Sequence, residues 1–181
     1  MTLTDGTYRL GPSTGRLLIK TGRAGPGRRA GHDLTIEVTR WSGEAVVAVG
    51  APDRSSVSVT VETGGLKALT DADRAEIKRT LADKALLNIA EHPAITFRST
   101  RITGTPQSFE ITGELTIKGR THPATVHGRG NDGGPLRGWA TVTQSAWAIK
   151  PYTAFLGALR LADEVRVEFE VAGLGPVDRP G

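Results

Sequence analysis

The chain has 181 residues, including 23 glycines, ten prolines and no cysteine, and its lysines and arginines exceed its acids to give a net charge of +4. That length suits one domain, residues 1–181, with a substantial core, and the lack of thiols excludes disulfides and thiolate metal sites. No run of about 18 apolar residues occurs, and Met1 to Gly6 has neither a basic nor an apolar leader character, so a cytoplasmic protein that does not span the membrane is expected.

From the N-terminus, Arg9, Arg16, Lys20, Arg23, Arg28 and Arg29 fall between Asp5 and Asp33 with no acid among them. Such a stretch either attracts phosphates or is a solvated Gly-rich loop. Single-strand binders need aromatic platforms beside their cations, and only Tyr8 is near, so nucleic acid is not an expected partner. Leu34, Ile36 and Val38 then alternate with Thr35, Glu37 and Thr39, and an apolar run resumes from Ala45 to Val49 after Ser42-Gly43, which predicts a hairpin. Val57, Val59 and Val61 alternate with Ser56, Ser58, Thr60 and Glu62, the two-residue period of a half-buried strand.

Between Leu69 and Glu91 the period changes. Ile77, Leu81, Ala85 and Ile89 recur every four residues, and Thr70 with Asp73 supplies a cap, so one helix is predicted over about 71–90. Pro93 forbids its continuation. The helix either plugs one mouth of the domain or packs on its outside. Strands follow again: Ile95 and Phe97; Phe109, Ile111, Leu115 and Ile117; and finally Val165, Val167, Phe169 and Val171. Short alternating strands between Gly, Pro and Asp turns favour an all-β antiparallel barrel or sandwich over a parallel sheet.

Three ordered motifs carry a family likeness: His92-Pro93-Ala94-Ile95-Thr96-Phe97-Arg98-Ser99; Gly113-Glu114-Leu115-Thr116-Ile117-Lys118-Gly119-Arg120-Thr121; and Leu159-Arg160-Leu161-Ala162-Asp163-Glu164-Val165. Together they resemble the YceI-like family, with looser matches at Tyr8-Arg9-Leu10 and Gly31-His32-Asp33-Leu34. The resemblance implies a lipocalin-like barrel, here of about eight strands with the one helix covering or packing on it, that holds an apolar molecule such as a polyisoprenoid or quinone. It implies binding, transport or sequestration and no catalysis. The chain departs from the family pattern over Ala146 to Gly157, where an Arg-Ser-Asp-Phe-Gly run is missing, and over Thr70 to Glu91.

A barrel of this size is either filled by side chains or holds one slender ligand. Gly113 and Gly119 share the parity of the apolar face, leaving either room for a ligand or a bend in the sheet. The expected ligand-binding residues are Ile95, Phe97, Phe109, Ile111, Gly113, Leu115, Val167 and Phe169, with Trp139 and Trp147 as further contacts. The two indoles share parity through Thr141, Thr143 and Ser145, so they either bracket a polar stripe or both lie in the core.

Catalytic and metal chemistry is sparse. Among His32, His92, His122 and His127, the last two lie five apart, which puts them on opposite strand faces, so no metal site is expected. Asp163 and Glu164 point to opposite faces, and neither a Gly-x-Ser-x-Gly elbow nor a nucleotide-binding glycine fingerprint occurs. The expectation is therefore a non-enzymatic lipid binder without a cofactor. The rival is a packed barrel, an interaction or stress-associated protein whose basic rim at Arg23, Arg28 and Arg29 meets an acidic partner. In either case open sheet edges could pair two chains into a homodimer.

Overall fold

The computed structural model describes residues 3–24, 33–69, 79–80, 83–84, 86–131, 133–154 and 159–172. Twelve strands form one sheet: β1 (Gly6–Leu10), β2 (Gly15–Ala24), β3 (Leu34–Val38), β4 (Trp41–Val47), β5 (Ser56–Glu62), β6 (Leu66–Ala68), β7 (Ala94–Thr105), β8 (Ser108–Ile117), β9 (Arg120–Arg129), β10 (Leu136–Thr143), β11 (Thr153–Ala154) and β12 (Leu159–Val171). All pairings are antiparallel, in the order β1-β4-β5-β7-β8-β9-β10-β12-β2-β3-β6, with β11 added on β12. The sheet thus has eleven strands on its main path rather than the expected eight. Their inward faces line a shared cavity, so the sheet is curled around an interior.

The ends of the path, β1 and β6, do not pair with each other. The chain passes between these ends twice, from β3 to β4 and from β5 to β6, and the two crossings are hydrogen-bonded to each other. Thr39 donates its backbone N–H to Gly65 O at 2.8 Å, and Glu62 donates its own to Arg40 O at 3.0 Å. Val38, Trp41 and Val61 are buried beneath these crossings and pack with Leu10, Leu17, Leu66 and Ile95. The hairpin expected at Ser42-Gly43 is therefore not formed. Both residues lie within β4, and Gly43 lets β4 pass so close to β5 that a Cβ there would collide with Ser58 O and Val59.

Of the helix expected over about 71–90, residues 71–78, 81–82 and 85 lie outside the described residues. Arg79 and Thr80 are helical, and the remainder to Glu91 is built of turns. Asp83 O accepts from both Leu86 N and Asn88 N at 3.0 Å, and Asn88 O from His92 N at 2.9 Å. Asn88 takes a left-handed conformation, φ 47°, which ends any regular helical ladder before Pro93. Of the predicted apolar spacing only Ile89 is described; Ile77, Leu81 and Ala85 lie outside the described residues. Leu87 is buried against Ile117, Val142, Trp147, Ile149 and Val165, with Leu86 and Ile89 beside it. From Asp83 to Glu91 the described residues cover one end of the sheet in turns.

That cover is tied down by the β8–β9 hairpin. Lys118 (φ 51°) and Gly119 (φ 70°) make the two-residue turn that suits the strand twist, and Lys118 Nζ donates to Lys84 O at 2.9 Å and Ala148 O at 3.3 Å. Lys118→Met keeps the hairpin and removes the tie. It should cost about 1 kcal/mol and accelerate amide exchange at Leu87 and Asn88 while that of β8 stays unchanged, as hydrogen exchange read by mass spectrometry would show.

Candidate binding cavity

The apolar faces of the strands meet in an interior cavity of about 410 Å³, within the range of small-molecule sites. Its described lining contains no charged side chain. β7 and β8 contribute Ile95, Phe97, Phe109, Ile111 and Leu115, while β12 contributes Val165, Val167 and Phe169. Seven of the residues expected from the sequence therefore stand on the cavity wall: Ile95, Phe97, Phe109, Ile111, Leu115, Val167 and Phe169.

The ends differ. At one, Leu87, Trp147 and Ile149 are buried in the cluster under the cover. At the other, Leu3, Val47, Val49, Pro52 and Pro106 ring the cavity, and Val49 is 40% exposed. Between them Phe97, Phe109 and Phe169 face inward yet stay only half-buried, as lumen-facing side chains do. The fold therefore makes a pocket packed at one end and rimmed by accessible apolar residues at the other.

Three strand glycines keep this lumen wide. A Cβ on Gly128 would overlap the Phe109 ring, which stands directly opposite it across β8 and β9. Gly138 bears the same relation to Phe169 across β10 and β12, its built Cβ falling 2.5 Å from Phe169 Cζ. Gly113 receives Phe97 diagonally, with its built Cβ 2.5 Å from Phe97 Cζ. Each phenyl ring lies back over a neighbouring strand where no side chain stands, instead of projecting across the lumen. Gly113 thus serves as a bed for Phe97, and Gly119 sits in the hairpin turn rather than on a strand face.

The two tryptophans named from the sequence part company. Trp147 is buried, donates Nε1–H to Leu115 O at 3.1 Å and meets the His122 ring edge-on at 5.1 Å. Trp139 lies outside, stacked with His127 at 5.3 Å and lying under the guanidinium groups of Arg166 (4.8 Å) and Arg129 (5.6 Å). Equal parity failed because β10 stops at Thr143 and a 3-10 turn, Gln144–Trp147, swings the second indole inward. Asp163 fixes that turn by accepting the Ser145 N–H at 2.8 Å, while Glu164 is exposed, so the adjacent acids do different work.

The charges stand on the outer wall. Lys20 approaches Glu168 at 2.6 Å, and its hydrogen bond, aided by Arg166, holds the Glu168 carboxyl below the usual range. His127 lies 3.4 Å from Glu110, on the face opposite the inward Val126. Of the basic rim, Arg23 pairs with Asp33 at 2.9 Å, and Arg28, Arg29 and His32 lie outside the described residues. No helix among the described residues is long and apolar enough to cross a membrane.

Sequence reasoning missed much of the wall. Leu10, Leu17, Ile19, Trp41, Val57, Val59 and Ile102 also line the cavity. The alternation in β5 was a usable signal; the Ile102 position was not, because a bulge between Ser99 and Arg101 reverses the parity of β7.

The model of the YceI-like domain matches residues 21–172. The chain belongs to the YceI-like family. Among curated relatives, a UPF0312 protein of Pseudomonas paraeruginosa is 35% identical over 85 residues, 45% of this chain and 42% of the relative. One from Azotobacter vinelandii is 37% identical over 79 residues, 43% of this chain and 39% of the relative. The matches thus span about two fifths of the relatives' length. Among solved structures, Burkholderia cenocepacia BcnA superposes with a TM-score of 0.69 at 17% identity, covering 89% of this chain and 96% of BcnA. A Campylobacter jejuni YceI protein gives 0.60 at 14% identity, over 77% and 84%. These likenesses establish the YceI-like barrel as the fold, one consistent with holding a hydrophobic ligand.

Proposed function

We propose that this YceI-like chain binds an apolar, isoprenoid-like lipid in its lumen, to transport or sequester it, without catalysing a reaction on it. The observation that carries this reading is the cavity of about 410 Å³ whose described lining has no charged side chain. Such a space gains from apolar burial about 0.8 kcal/mol per methylene and penalises an ionised group. Half-burial of Phe97, Phe109 and Phe169 around free volume favours it over the packed-barrel interaction protein. The lack of cysteine is compatible with a cytoplasmic setting.

Organic extraction of the purified protein followed by mass spectrometry is the direct test. A prenyl lipid, recovered in near-stoichiometric amount and lost after delipidation, is the expected result. A protein that yields no lipid and whose tryptophan fluorescence is indifferent to added polyprenyl compounds would sink the reading.

A further inference from the structure

We propose that the lumen ligand carries a neutral carbonyl oxygen, as of a ketone, ester or amide, and that the indole N–H of Trp41 recognises it. The inference rests on the lumen-binding reading above and narrows the class of ligand.

Several polar side chains of the cavity wall are engaged within the protein, while Thr80, Thr103 and Thr105 are not buried. Tyr8 donates its hydroxyl to Thr4 O at 2.7 Å, Thr21 Oγ1 donates to Leu34 O at 3.3 Å, and Gln144 Nε2 donates to Ala162 O at 3.1 Å. Tyr152 has a partner as well. Trp41 Nε1 is different: among the described residues it is the one buried side-chain nitrogen or oxygen without a hydrogen-bond partner. The residue itself is only 8% exposed and lines the cavity. Buried donors are seldom left without an acceptor, and a phenylalanine could fill an apolar wall without that burden.

The setting decides which acceptor fits. The nitrogen is shut off from solvent, so its partner has to arrive with something that enters the lumen. Its cluster consists of Val38 and Val61 with Leu10, Leu17, Val59 and Leu66 packed around. For a bound oxygen to reach the N–H, these aliphatic side chains have to part into the adjoining free volume by rotamer changes, a rearrangement that the proposal includes. With no cation in the described lining to receive a phosphate or carboxylate, an ionised acceptor would lose its hydration uncompensated. A carbonyl group loses little and accepts one hydrogen bond, which matches a single indole donor.

The test uses two neutral probes, farnesylacetone, a prenyl ketone, and squalene, a prenyl hydrocarbon, on delipidated protein. The chain has three tryptophans, so the Trp41 indole N–H resonance can be assigned with Trp139→Phe and Trp41→Phe. Farnesylacetone should move that resonance downfield and squalene should not, and Trp41→Phe should weaken the ketone about fivefold while leaving squalene affinity unchanged. An unmoved resonance with bound ketone, or an equal loss for both probes in Trp41→Phe, would overturn the assignment while leaving lumen binding intact. If neither probe binds the wild-type protein, the lumen reading itself fails and this inference with it. Should Trp41→Phe not fold, Trp139→Phe and Trp147→Phe assign the resonance instead, and its response in the wild-type protein decides.

Discussion

Gly138→Val should be strongly damaging, lowering stability by about 3 kcal/mol and the melting temperature by about 6–12 °C for a domain of this size. The reason is local. A Cβ at this position falls against His127 O on one side and the Phe169 ring on the other, so relief needs a main-chain shift as well as a ring movement. Gly138→Ala should show the same effect in smaller measure. In that background Phe169→Leu should recover part of the loss, because the shorter side chain vacates the bed; coupling in a thermal or urea double-mutant cycle measures it. Gly50→Ala, where a Cβ has no neighbour within 4 Å, should stay within about 0.5 kcal/mol of wild type. A Gly138→Val protein as stable as the Gly50→Ala control would refute the bedding account. The glycines also link stability to function, since a phenyl ring pushed off its bed enters the lumen and narrows it.

How much of this was legible in the sequence follows from what each residue answers to. The alternation of Phe109, Ile111, Leu115 and Ile117 survives as an inward face because β8 pairs on both sides without a bulge along that stretch except opposite Thr100, on the partner strand. Where a bulge lies in the strand itself, as in β7, parity counted from Phe97 gives the wrong face for Ile102. The separation of Trp139 from Trp147 was hidden for a related reason: strand periodicity says nothing about where the strand stops. The β3–β4 crossing was misread because Ser42-Gly43 has turn composition, yet its glycine serves close strand packing. Of the four-residue spacing only Ile89 lies among the described residues, where it packs beside Leu87, a residue outside that spacing. Local patterns revealed which side chains face inward; what lies over Gly113, Gly128 and Gly138 depends on register, which no single segment contains.

Placing one charge in the lumen should abolish ligand uptake. Val126 faces inward on β9, opposite Ile111 on β8 and Ala140 on β10, all three lining the cavity. In Val126→Lys the ammonium would have to share an apolar space with an apolar ligand, at a cost of several kcal/mol, so affinity for a prenyl probe should fall about 100-fold at neutral pH. The pH dependence separates this from a merely steric effect. A lysine in that setting has its pKa depressed, and a bound lipid, by removing the remaining water, depresses it further. Binding then releases a proton. Affinity should therefore rise with pH between the two values, by up to about tenfold per unit, whereas Val126→Met should bind like wild type at every pH. Thr125→Lys, whose neighbouring position on β9 faces the outer wall, should leave affinity unchanged. If Val126→Lys, folded by circular dichroism, still takes up the probe with wild-type affinity at neutral pH, then the ligand does not occupy the lumen, and the charge-free lining has some other purpose.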